Sequence, residues 1–292
     1  MLVTGATGFI GGRLARALSA DGVRVRCLVR DPAKAAALER AGCELRRGDV
    51  TDAASLDGAG EGVDVAYYLV HAMAGGGGFS ERERAGARNF AQMARREGVR
   101  RIVYLGGLGD PGVSEHLRSR HETARVLAAE GPPLTYVRAA MVVGEGSESY
   151  RTLRALSERL PVMVTPRWLR TPTQPIGIDD VIEYLRRAPD VAPPEGGEVQ
   201  IGGPDVLSYR DMLDRMARAL GRRPPLKLPV PLLSPRVSAL WLGLVTPVDT
   251  NVARPLIDGL TTPTVVTDPA GAAPFGIAPA SFDETLRRAL AT

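Results

Sequence analysis

Histidine, cysteine and lysine are scarce in this 292-residue chain, and each scarcity removes a class of chemistry. Two cysteines, Cys27 and Cys43, can build neither a disulfide framework nor a four-thiolate metal site. A reducing, cytoplasmic location is therefore the expectation. The three histidines (His71, His116, His121) and the scattered carboxylates show no metal-ligand spacing. Only Lys34 and Lys227 are lysines among 37 basic residues, so amine-base or Schiff-base chemistry has two candidates. No apolar run reaches the ~18 residues of a membrane span, and the most apolar stretch, Leu232 to Val248, is broken by Pro235 and Arg236. The chain opens on a short apolar run and a glycine loop, so no leader peptide is expected. The basic excess is small, 37 against 33, and is spread as pairs such as Arg95–Arg96, Arg100–Arg101 and Arg222–Arg223. A nucleic-acid surface gathers such charge into a stripe. These pairs read as solvated faces, and no nucleic-acid partner is expected.

What is present is an ordinary globular mix, 44% hydrophobic and 24% charged, long enough for one large or two small domains. Apolar runs alternate with helical stripes through the first half. Met1–Thr4, Val23–Val29, Cys43–Arg46, Val63–Val70, Arg101–Leu105 and Leu134–Arg138 read as strands. Between them the spacing predicts helices over 9–20, 32–41, 80–97 and 114–129. Asp31 before Pro32 marks a helix start, and Asp52 could cap a short helix. This alternation predicts an α/β fold, a doubly wound parallel Rossmann sheet. Prolines crowd the chain after about Gly144, and the boundary is drawn there: residues 1–145 as a dinucleotide-binding domain, 146–292 as a smaller, mixed, helix-rich substrate domain. In that second part Asp179 is expected to cap Val181–Arg187. Ser208 with Asp211, and Ser281 with Glu284, open two further helices. Gly197–Gly202 is expected to be a strand.

The residues Thr4-Gly5-Ala6-Thr7-Gly8-Phe9-Ile10-Gly11 lie between the first strand and the first helix, the setting of a phosphate-binding loop. Glycine there permits the tight turn, the approach of backbone to a pyrophosphate and close helix packing. The end of the second strand reads Val29-Arg30-Asp31. Arg30 can meet a 2′-phosphate through a charge-assisted fork, or face solvent. Asp31 is explained as a helix cap, which favours NADP over NAD. Arg13 could also reach a phosphate. Asp49, followed by Val50, could accept from the adenine amine, or simply hold a turn.

Taken together, TGATGFIGG (4–12), LVRDP (28–32), GDVTD (48–52), YYLVH (67–71), ARNFAQMARREGVRRIVYLGGLG (87–109), YVRAAMVVGEG (136–146), TQPIGIDDV (173–181) and GGPDVLSYRDML (202–213) resemble the atypical short-chain dehydrogenase/reductase superfamily. The likeness is to its NmrA-like, NAD(P)H-binding branch and to NAD-dependent epimerase/dehydratase proteins. The resemblance implies that Leu69-Val70-His71 passes beside the adenosine ribose and nicotinamide. It implies a substrate-polarising Ser or Thr after the fifth strand, where this chain has Gly106-Gly107. It also implies a Tyr-x-x-x-Lys pair on the following helix. No such pair exists here: neither Lys34 nor Lys227 has a tyrosine four residues before it. The corresponding positions are His116 and Arg120, with Ser114 nearby. Arg120 could hold the ribose, and His116 could transfer a proton; the plainer alternative is a half-exposed helix histidine. Tyr150-x-x-x-Arg154 has similar spacing but falls in the second part, where lining a pocket or packing a core explains it. Gly75–Gly78 reads as a lid or a linker. Trp168, Trp241 and Leu232–Val245 read as second-domain core, or as a lipophilic pocket or surface-seeking helix.

The resulting expectation is an NADPH-dependent reductase of a small or mid-sized carbonyl, enone, imine or quinone. It would act on a small-molecule substrate without stable membrane insertion, as a monomer or homodimer. The alternatives are a catalytically silent NADP(H)-sensing regulator and a sugar-type epimerase or dehydratase.

Overall fold

The computed structural model describes residues 1–70, 79–110, 112, 115–159, 162–165, 167–193, 195–229 and 262–291. His71, Ser114, Gly75–Gly78, Leu232–Val245 and Trp241 lie outside them, as does the side chain of Trp168. Seven strands form one sheet in the order β3 (Glu44–Arg47), β2 (Arg26–Val29), β1 (Leu2–Val3), β4 (Val65–Tyr68), β5 (Arg101–Gly107), β6 (Leu134–Ala139), β11 (Gly197–Ile201). Every neighbouring pair is parallel. Parallel strands joined by helical crossovers are covered on both faces, which is why β4 and β6 are buried throughout. Between β1 and β4 the order reverses, so successive crossovers run to opposite sides and a crevice opens at the C-terminal edge there.

Side-chain alternation divides the interior in two. Val3, Cys27, Val65, Tyr67, Val103 and Val137 pack under α1 (Phe9–Ala20), α2 (Ala36–Arg40) and α6 (Ile178–Val191). Leu2, Leu28, Ala66, Tyr68, Ile102, Tyr104 and Tyr136 pack under α3 (Phe79–Arg96) and α4 (Glu115–Glu130). Arg101 ties α6 to the sheet. Its buried guanidinium donates to the carbonyls of Ala188 at 3.1 Å, Ala192 at 2.9 Å and Pro193 at 2.9 Å, where the helix end carries negative partial charge.

The rest of the chain has its own apolar cluster, from α5 (Glu148–Arg159), α7 (Tyr209–Ala219) and α8 (Phe282–Ala291), around Leu153, Met163, Met212, Met216 and Leu286. Three short ladders lace it: β7 (Val142–Val143) with β10 (Ile176–Gly177), β8 (Val162–Thr165) with β13 (Leu226–Pro229), and β9 (Pro172–Thr173) with β12 (Leu207–Ser208). The chain also crosses back beyond residue 145, because α6 lies against α1 and β11 extends the sheet beside β6.

Local signals act as their chemistry dictates. Asp31 accepts from Ala33 N, and Asp52 from Ala54 N. Ser208 and Asp211 close a reciprocal capping box on α7. Asp179 is a correction: α6 starts a turn earlier than expected, from Gly177, and Asp179 sits inside its first turn. There the carboxylate meets the positive end of the helix without capping it.

Candidate functional site

The glycine loop lies at the C-terminal end of β1. Gly5 has φ +63°, and a Cβ on it would meet the Leu69 carbonyl oxygen at 2.3 Å. A Cβ on Gly11 would meet the Gly5 carbonyl at 2.4 Å. Both positions therefore exclude side chains, one for the turn and one for helix packing. Gly8 stands at the N-cap of α1 with no side-chain cap and no acidic residue in the first turn. The helix presents its N–H groups and positive end bare, the arrangement that suits a pyrophosphate. Thr7 and Gly8 are exposed; Phe9 and Ile10 are half-buried. The buried Thr4 hydroxyl donates to Tyr67 O and accepts from Leu69 N, both at 3.0 Å, and so locks the loop to the end of β4. Leu69 is buried there and Val70 half-buried.

Arg13 is already engaged. Its guanidinium lies 4.4 Å over the Phe9 ring and donates to the Glu145 carbonyl at 2.8 Å. It thereby joins the loop helix to the turn that leads into the second part. Arg30 is exposed just beyond β2 and makes no hydrogen bond or ion pair with the described residues. Asp31 beside it is occupied by Ala33 N and by Lys34 at 3.9 Å. Asp49 turns one carboxylate oxygen on Thr51 N at 2.9 Å and Thr51 Oγ1 at 2.8 Å. Val50 packs in the α3-side core.

The α4 pair comes together as its i, i+4 spacing requires. Arg120 Nε donates to His116 Nε2 at 3.3 Å, and its Nη1 donates to the Leu105 carbonyl at 3.3 Å. Burial, with the Arg120 charge added, holds His116 down at about 4. The ring is neutral at pH 7 with Nε2 as acceptor, which leaves its N–H on Nδ1. Arg120 also reaches the Tyr104 hydroxyl, shared with Thr123. Burial pushes that phenol up to about 12, and Arg120 limits the rise.

Sequence reasoning overlooked a ladder of three tyrosines. Tyr68, Tyr104 and Tyr136 stand in register on β4, β5 and β6, with ring centroids 6.0 Å and 5.3 Å apart. It also overlooked Arg138, which donates to the carbonyls of Gly107 at 3.2 Å and Gly109 at 2.6 Å and pairs with Glu198 at 2.6 Å. The available signal was the period-2 pattern of β6, which places Tyr136 and Arg138 on one face beside the Gly106-Gly107 turn.

The family model described as NAD(P)H-binding matches residues 5–167. Sterol demethylase protein B of Methylococcus capsulatus is 38% identical over 117 residues, 39% of this chain and 36% of that protein. Ceramide reductase of Caulobacter vibrioides is 30% identical over 164 residues, 55% of this chain and 52% of that protein. The chain thus spans about half or less of the length of the curated relatives it matches. Among solved structures, triphenylmethane reductase of Citrobacter sp. superposes with TM-score 0.79 at 20% identity, covering 100% of this chain and 99% of that one. That enzyme has also been solved with NADP(H). Among the described residues no helix is long and apolar enough to cross a membrane.

Proposed function

The chain belongs to the NAD(P)H-binding family, and on that premise we propose that it is a reductase. With NADPH bound, the nicotinamide would supply hydride to a small or mid-sized carbonyl, enone, imine or quinone. The observation that carries the reading is the cradle of Gly5, Gly8 and Gly11 against the uncapped start of α1, where added Cβ atoms at Gly5 and Gly11 would strike backbone. Gly5, Thr7, Gly8, Phe9, Ile10 and Gly11 would hold the pyrophosphate. Asp49 and Val50 would hold the adenine. Leu69, Val70 and His71 would flank the ribose and nicotinamide. Preference for NADPH is supported by Arg30, exposed and without partners among the described residues, and by Asp31, whose carboxylate is committed to Ala33 N. Residues 146–292 would supply most of the substrate site, around the apolar cluster of Leu153, Met163, Met212, Met216 and Leu286.

Arg120 takes the place of the ribose-holding lysine. The proton taken up by the reduced substrate atom would come from His116, from Ser114 or from water. The protein would work in the cytoplasm, as a monomer or homodimer.

A second reading, a silent NADP(H) sensor, is favoured by one observation: the neutral His116 is a weaker acid than the lysine-assisted tyrosine it replaces. A fluorescence titration with NADPH and NADH in parallel, followed by NADPH oxidation with a panel of carbonyls and quinones, separates the readings. Tight NADPH with weak NADH, and turnover of one acceptor, supports the reductase. Tight binding without any turnover supports the sensor. Binding of neither nucleotide overturns both.

A further inference from the structure

Three side chains meet at the end of β5. Arg120 donates to the carbonyl of Leu105 and to His116 Nε2, and Tyr136 covers Gly106. Tyr136 is paired in register with Tyr104, two residues short of Gly106. Yet a Cβ on Gly106 would lie 2.5 Å from the Tyr136 ring and 2.8 Å from its hydroxyl. The phenol therefore leans along the sheet toward the C-terminal edge. Residue 106 is glycine because this ring fills the space of its side chain. Leu117 does the same at Gly107, where a Cβ would meet it at 2.7 Å. The tip of β5 thus has no side chain of its own, and the tyrosine supplies the hydroxyl beside it.

That hydroxyl is sealed from water and has no hydrogen-bond partner among the described residues; the residue is only 6% exposed. Its surroundings are polar: Arg138 lies 5.8 Å from the ring centre, and the His121 ring stands edge-on at 5.7 Å. A buried hydroxyl left unpaired costs stability, and a phenylalanine would avoid the cost. We propose that the Tyr136 hydroxyl is a hydrogen-bond donor to the substrate oxygen of the reaction, a carbonyl or quinone C=O that arrives at the tip of β5 beside His116 and Arg120. This rests on the reductase reading. Reduction of a C=O group builds negative charge on its oxygen. A fixed O–H in a dry site stabilises that charge more than water does. Tyr136 donates a hydrogen bond and keeps its proton; the proton that the product gains is the one offered by His116 or water.

The test compares the full-length protein with Tyr136→Phe in three measurements: thermal midpoint, NADPH affinity, and NADPH oxidation with a naphthoquinone and an aromatic aldehyde. The expected result is an unchanged or higher midpoint, NADPH affinity within about twofold, and kcat lower by about 100-fold. The double variant Tyr136→Val with Gly106→Ser, which puts a hydroxyl into the vacated space, recovers part of kcat. Unchanged kcat in Tyr136→Phe overturns the assignment and leaves the reductase reading standing. So does a lowered midpoint with kcat preserved, because the hydroxyl then has an internal partner. Absence of turnover in the wild type with either acceptor overturns the reductase reading, and this assignment with it.

Discussion

Arg120 donates its Nε–H to Nε2 of His116 across 3.3 Å, one turn along the same helix. The contact requires a neutral imidazole, which sets a pH dependence. His116 is held at about 4 in the fold against an ordinary 6.5. Between those values the unfolded chain binds more protons than the folded one, so stability rises with pH. The contribution is complete above about 6.5 and is lost as pH falls through about 4. Denaturant unfolding at several pH values is expected to show a fall of about 1–3 kcal/mol over this window. In His116→Gln, whose amide oxygen can accept the same N–H, the slope becomes shallower. It does not vanish, because burial and Arg138 also hold His121 down. An identical slope in the variant would remove His116 from the account.

Arg30 should decide between the two nicotinamide cofactors. Arg30→Ala is expected to weaken NADPH by about 1–3 kcal/mol and to leave NADH nearly unchanged. Parallel fluorescence titrations read this directly. Equal losses for both nucleotides would mean that Arg30 does not read the 2′-phosphate.

Gly11→Ala tests the cradle. The added methyl would sit 2.4 Å from the Gly5 carbonyl and 3.1 Å from the Ala6 α-carbon, both backbone atoms that cannot swing aside. Helix α1 must shift away from the loop. The expected outcome is a loss of about 1–3 kcal/mol in stability and at least about tenfold weaker NADPH, a loss of ~1.4 kcal/mol. Calorimetry with and without NADPH separates the two effects.

Thr4→Val keeps the side-chain shape and removes the hydroxyl that joins Tyr67 O to Leu69 N. It leaves the Leu69 N–H buried without that acceptor. A cost of about 1–3 kcal/mol in urea unfolding is expected. Faster exchange of the Leu69 amide with solvent would locate the damage, and an unchanged rate would mean that the hydroxyl does not hold the loop.

Much of the first half was legible because its signals are local. The stripe Ile10, Leu14, Ala17 and Leu18 predicts a helix over 9–20, and α1 spans Phe9–Ala20. Asp31, Asp52 and Ser208 each bond a backbone N–H two or three residues on, so they need nothing from the rest of the chain. The glycine loop was legible for the same reason: strand, turn and helix are contiguous. The α4 pair was legible because helical spacing alone brings positions 116 and 120 together.

Other features depended on partners far away in the chain. Arg13 is spaced to reach a phosphate, yet its guanidinium bonds the carbonyl of Glu145, 132 residues on. The expected helix over 32–41 begins as a 3₁₀ turn at Pro32–Ala35 before α2, as it packs Ala35 and Leu38 under the sheet. Gly106 read as a missing hydroxyl, whereas in the fold it is the space that Tyr136 occupies.

The sequence by itself determined the βα rhythm, the glycine loop between β1 and α1, the caps at Asp31, Asp52 and Ser208, and the absence of a Tyr–Lys pair. Each is a matter of residue type and spacing within one or two turns. Tertiary structure alone decided that β11 joins β6 at the sheet edge, that Arg101 closes the end of α6, and that a tyrosine on β6 stands over a glycine on β5. Strand pairing and side-chain filling are settled by which surfaces meet when the whole core is buried, and no local period encodes the neighbour across a parallel sheet.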